Sequence, residues 1–371
     1  MKLPSLTGVR GIAALWVVLF HLQQYAGDFG LDPIKGLPGL RSGWAGVDLF
    51  FVLSGFVLML AHGRDFEHPT WPSVFRFAWL RFFRIYPLAT VVLVLIGLLV
   101  LADRQFSAWF STASIPHNLT ASSFVRTLLL ANRWWSPTDG DWNQPEWSLS
   151  VEILGYVAFP VIALMATRLR DARVLVGLAI VCLMFPTVYA FVSHGKLFND
   201  DIFWGAGTRM AGAFTGGIVL ARLHRLTPES RRDAQGSIGT WALAALLACL
   251  FMPPYGYGAL TLCFGALVYG LASGRGAANS TFSTPTAIWL GEISFPLYLV
   301  HVMVLMWLRY ALFQDHPGLA EKLGATGLAI MFIFSLAWLL HIYVERPSHR
   351  FARKAGEPVN LGAPARAASA P

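Results

Sequence analysis

The sequence predicts an all-α, polytopic membrane protein of about ten transmembrane helices with both termini cytoplasmic. Three observations carry this. Of the 371 residues, 56% are hydrophobic and only 13% charged, with a mean hydropathy of +0.55; a soluble domain is about a quarter charged. Apolar runs long enough to cross a bilayer, about 17–25 residues, recur near 8–26, 43–62, 85–102, 147–166, 173–193, 203–222, 238–253, 257–273, 284–308 and 325–344. With the N-terminus inside, 18 of the 28 Lys and Arg fall in cytoplasmic segments and 8 in outer ones, which is the positive-inside bias. Arg10 and Arg209 alone lie inside runs.

Each run has a reason in the residues around it. The first follows Lys2 and could pass for a leader, but no small-residue cleavage site follows His21, so a retained helix is expected. The seventh and eighth are short, and Pro253-Pro254 between them marks a tight turn. Gly212-Ala-Phe-Thr-Gly216 predicts a close helix contact. Two connections stand out: a basic, aromatic inner loop at about 61–84, and an outer segment 103–146 rich in tryptophan (Trp109, Trp134, Trp135, Trp142). Residues 1–347 form one transmembrane domain. From 348 to 371 the chain is Ala, Pro and Arg without apolar periodicity, a disordered cytoplasmic tail.

The net charge of +8 is scattered between apolar runs, which fits topology and not nucleic acid. Cys182, Cys249 and Cys263 all fall inside apolar runs, with neither a disulfide framework nor metal-ligand spacing, so no metal is expected.

Ionisable groups inside spans are costly and tend to mark sites. Arg10 and His21 bracket ten apolar or small residues on the first run, about 16 Å apart along a helix. Asp48, Glu152, Arg209, Glu292 and His301 lie in four further runs, and with His21 they share the middle or outer half of the membrane. A carboxylate beside an imidazole fixes its tautomer and raises its basicity. A carboxylate facing Arg209 could equally be an ion pair tying helices together. Arg81 and Arg84, three apart, share one helix face at the inner end of the third run. They either grip phosphates bidentately or anchor the helix at the headgroups.

Several stretches resemble the acyltransferase 3 family of integral membrane O-acyltransferases. They are the Arg10-x10-His21 spacing, Gly46-Val-Asp-Leu-Phe-Phe-Val-Leu-Ser-Gly-Phe56, Arg81-Phe-Phe-Arg84, Trp147-Ser-Leu-Ser-Val-Glu152, Gly291-Glu-Ile-Ser-Phe-Pro-Leu-Tyr-Leu-Val-His301 and Glu345-Arg-Pro347. The resemblance implies a ten-helix bundle in the cell (inner) membrane. It would move an acyl group, most often acetyl, from cytoplasmic acyl-CoA to a sugar hydroxyl of an envelope or exported glycan or glycolipid. It places the essential pair at Arg10 and His21 and donor handling at Arg81 and Arg84. The family often has a second Glu after Trp-Ser-Leu-Ser-Val-Glu, where this chain has Ile153. On this footing His21, oriented by Glu152 or Asp48, is expected to act as general base, and Arg209, Trp147 and His301 to meet the acceptor. The competing class is a proton-coupled transporter or exporter, whose spans also carry buried His, Asp, Glu and Arg; such folds often show internal repeats, and none is visible.

Overall fold

The computed structural model of the protein describes residues 3–105, 119–134, 141–195, 204–251, 257–312 and 318–355. Among these, every regular element is helical. The principal helices are α1 (Pro4–Gln24), α2 (Gly46–His62), α3 (Trp71–Gln105), α4 (Ala121–Leu128), α5 (Trp147–Arg168) and α6 (Ala172–His194). They continue as α7 (Trp204–Leu226), α8 (Arg232–Cys249), α9 (Tyr257–Leu271), α10 (Pro285–Leu312), α11 (Leu319–Leu340) and α12 (Arg346–Ala355).

The described part of each of the ten expected runs lies mainly on one helix. Among the described residues, seven helices are long and apolar enough to cross a membrane, so the count of ten is not confirmed. The apolar character faces two ways. Phe51, Val52 and Phe56 of α2 and Phe264 and Leu267 of α9 lie in a core, whereas Val157 and Val161 of α5 and Val181 and Val192 of α6 are exposed. An exposed apolar face of this extent suits lipid.

Glycines set the closest helix contacts. A Cβ on Gly11 of α1 would stand 2.4 Å from the Gly291 nitrogen of α10, and one on Gly291 would stand 2.0 Å from the Thr7 carbonyl oxygen. Only hydrogen fits there, so the two backbones touch. Gly212 meets the Cys182 carbonyl and Gly216 the Leu183 side chain, so the Gly-x3-Gly pattern does pack α7 on α6.

Two boundaries differ from expectation. The inner loop at 61–84 is largely helix, because α3 begins at Trp71 and carries Arg81 and Arg84 on its first turns. The segment from 348 starts inside α12, which continues from α11 through a π-helical turn at His341–Glu345. Both helical stretches are rich in charge, so a search for apolar runs passes over them. Trp109, Trp135, Pro253, Pro254 and the tail beyond 355 lie outside the described residues.

Candidate active site

The site grows out of the α1–α10 contact. Gly8 of α1 lies against Ala287, Gly11 against Leu290 and Gly291, and His21 against His301. Sequence number rises on both helices together, so they run parallel in a fixed register. At the lower level, Arg10 donates to the Gly291 carbonyl through Nη2 at 2.6 Å and Nε at 3.3 Å. At the upper level, His301 Nε2 lies 3.2 Å from His21 Nδ1. His21 Nδ1 is 3.0 Å from the Val17 carbonyl oxygen, and His301 Nδ1 is 2.8 Å from that of Tyr298. The two rings meet edge to face, centroids 4.9 Å apart.

Neither expected carboxylate reaches this pair. Asp48 is bound to Arg209 through two parallel bonds, Nε to Oδ1 at 3.0 Å and Nη2 to Oδ2 at 2.8 Å, and Tyr257 donates to Oδ1 at 2.9 Å. Trp44 and Trp147 each stand 5.1 Å from the Arg209 guanidinium carbon. Asp48 has no exposed surface and Arg209 is 8% exposed. Of the two readings open for a carboxylate facing Arg209, this geometry is that of a buried ion pair joining α2 to α7. Glu152 accepts from Ser54 at 2.5 Å and from Tyr156 at 2.8 Å. The partner of His21 is therefore another histidine, 280 residues away in sequence. Pairing across such a separation leaves no local pattern to read.

Below the histidines lies a cavity of about 1530 Å³, larger than the roughly 300–1,000 Å³ of an ordinary small-molecule pocket. Its lining includes nine arginines and three glutamates. Arg64, Arg76 and Arg353 are exposed and mark its open end; Arg10, Arg81, Arg84 and Glu152 line its wall. Its inner end is reached at Ser148 and Tyr298, whose hydroxyls are 2.9 Å apart. Tyr298 precedes His301 by one helical turn.

The two arginines expected to handle a donor differ. Arg84 pairs with Glu345 and stands 3.2 Å from His349 Nε2, with its guanidinium 5.1 Å from the Phe295 ring centre. Arg81 lies 5.9 Å from the Phe77 ring centre, and its buried Nε has no hydrogen-bond partner among the described residues. Glu345 also accepts from His341 Nδ1 at 2.7 Å. In the sequence Glu345 stands out only within Glu345-Arg-Pro347, and His341 lies outside that motif. The visible signal was a His and a Glu four apart at the end of an apolar run.

Comparison with known proteins identifies the family. The family described as an acyltransferase domain matches residues 3–344. Acyltransferase MdmB of Streptomyces mycarofaciens is 31% identical, covering 94% of this chain and 92% of its own. A Staphylococcus aureus (strain COL) protein that carries an O-acetyltransferase name is 22% identical over 95% of this chain, which spans 58% of that protein. Protein 2 in picA locus of Rhizobium radiobacter is 44% identical over 25% of this chain. No solved structure matches. The family is thus shown by a match over nearly the whole length, and the chain is a multi-pass membrane enzyme that transfers acyl groups, a member of the acyltransferase 3 family.

Proposed function

We propose that the protein moves an acyl group, most simply acetyl, from acyl-CoA to a sugar hydroxyl of an envelope or exported glycan or glycolipid, in the inner membrane with both termini cytoplasmic. One observation carries the donor: a large cavity lined by nine arginines against three glutamates, ending one helical turn from His301 and its partner His21. An excess of cations draws in and holds a polyanion. A nucleotide thioester has that charge at one end and a slender arm at the other.

On this reading Arg81 and Arg84 hold the donor phosphates by charge-assisted hydrogen bonds. The arm runs past Arg10 towards Tyr298, bringing the thioester to His21. His21 takes the proton of the attacking hydroxyl as the new C–O bond forms. The C–S bond then breaks, and the same proton goes to the departing thiolate. Arg10, fixed to the Gly291 carbonyl, supplies positive charge along the path. Asp48 and Arg209 are structural here, and Trp147 serves the clamp around Arg209. Glu152, held by Ser54 and Tyr156, lines the donor channel.

The test is transfer of labelled acetyl from acetyl-CoA by the full chain in its own membranes, with mass spectrometry of glycans and glycolipids from the deletion strain and its parent. Transfer in the parent, its loss on deletion, and a fall of about 10³-fold or more in His21→Ala are expected, within the range acid–base groups contribute. Folded His21→Ala protein transferring at the parental rate would remove His21 from the chemistry. Acceptor-independent flux with no CoA release would replace the enzyme reading by a transporter.

A further inference from the structure

We propose that His301 is the positioning residue for His21, holding the proton on His21 Nδ1 so that the lone pair of Nε2 is the working base. This rests on the reading of His21 as the general base.

Two backbone carbonyls decide where the protons are. A carbonyl oxygen only accepts. Tyr298 presents its own 2.8 Å from His301 Nδ1, so that nitrogen carries a proton, and neutral His301 offers a lone pair at Nε2. Val17 presents its own 3.0 Å from His21 Nδ1, so that nitrogen also carries a proton. The His21 proton then lies between two acceptors, the Val17 oxygen and His301 Nε2 at 3.2 Å. With both rings neutral, a single placement of two protons satisfies all three contacts. It leaves His21 Nε2 bare.

The second acceptor matters when the reaction begins. As the hydroxyl oxygen bonds to the thioester carbon, its proton passes to His21 Nε2 and His21 becomes a cation. Its Nδ1–H bond to His301 strengthens as that charge appears. His301 thereby takes the place that a carboxylate holds beside the histidine of a Ser-His-Asp triad. Neither expected carboxylate is free for the task, since Asp48 is committed to Arg209 and Glu152 accepts from Ser54 and Tyr156. A neutral imidazole also carries none of the cost of a second charge in a bilayer. The register of α1 on α10, fixed at Gly11 and Gly291, puts the two rings at one level.

The test uses the full chain in lipid with ring-labelled ¹⁵N-histidine. The His21 signals are assigned by their loss in His21→Gln. The expected spectrum shows His21 protonated at Nδ1 and bare at Nε2. In acetyl transfer from acetyl-CoA, His301→Leu is expected to lower kcat by about 10²-fold with KM for acetyl-CoA unchanged. His301→Gln, whose amide oxygen can accept from His21 Nδ1, recovers most of that loss. A His21 protonated at Nε2 overturns the proposal, as does His301→Leu with parental kcat. Equal damage in His301→Leu and His301→Gln also overturns it, because a purely packing role predicts that pattern. If His21→Ala still transfers acyl groups, the base assignment itself has failed, and the tautomer measurement on the parent protein is independent of that result.

Discussion

Arg209 and Arg81 are both arginines drawn into the helix bundle, and their surroundings differ in what decides the use of such a residue. Arg209 has its charge answered by Asp48 through two parallel bonds, and the indoles of Trp44 and Trp147 stand beside its plane. Arg81 lies on the wall of a large cavity, and its Nε has no partner among the described residues. Arg84 stands between the two, since it lines the same cavity yet pairs with Glu345. A buried cation whose hydrogen bonds are taken holds helices together. One that borders an open space with a buried donor left unused is available to a ligand.

Three substitutions break or sharpen this contrast. The largest effect is expected at the closed site. Asp48→Asn leaves the Arg209 charge buried without its counter-ion, which costs about 3–5 kcal/mol. Thermal unfolding in detergent should show a large fall in Tm, and Asp48→Leu with Arg209→Met should restore much of it. Arg84→Gln is expected to act on both properties. Glu345, 3% exposed, loses its cation and the bundle loosens, while acyl-CoA binding weakens by about tenfold, the worth of one charge-assisted hydrogen bond. Arg81→Gln has the smallest structural effect, with Tm unchanged and an affinity loss of about tenfold measured by calorimetry with acetyl-CoA. A falling Tm with unaltered affinity would place Arg81 in the same class as Arg209.

Much of the bundle was legible because a bilayer imposes a length and a composition on whatever crosses it. The described part of every apolar run named from sequence lies mainly on one helix. The first turns of α3 and the whole of α12 were missed because hydropathy registers lipid contact and not helicity. Grouping by position along the runs was legible in part: His21 does meet His301 and Asp48 does meet Arg209, whereas Glu292, expected in the same layer, pairs with Arg346 beside the Arg10–Gly291 contact. The pairing within that layer was not. Both Asp48 and Glu152 were expected beside His21, and helix rotation sends one to Arg209 and the other to Ser54 and Tyr156. Rotation is decided by close contacts such as Gly11 on Gly291, which connect residues hundreds of positions apart.

The contact of Gly11 with Gly291 has a metric consequence. Arg10 and His21 are separated by about 16 Å of helix, and Gly291 and His301 by about 15 Å. Two rods joined at one level thus carry the same graduation, and neither can slide against the other without a backbone clash. On the proposed reading, α1 and α10 act as a ruler laid along the donor. What they gauge is the reach of the arm between phosphate and thioester, so a donor with a shorter arm would stop below the histidines whatever acyl group it bore.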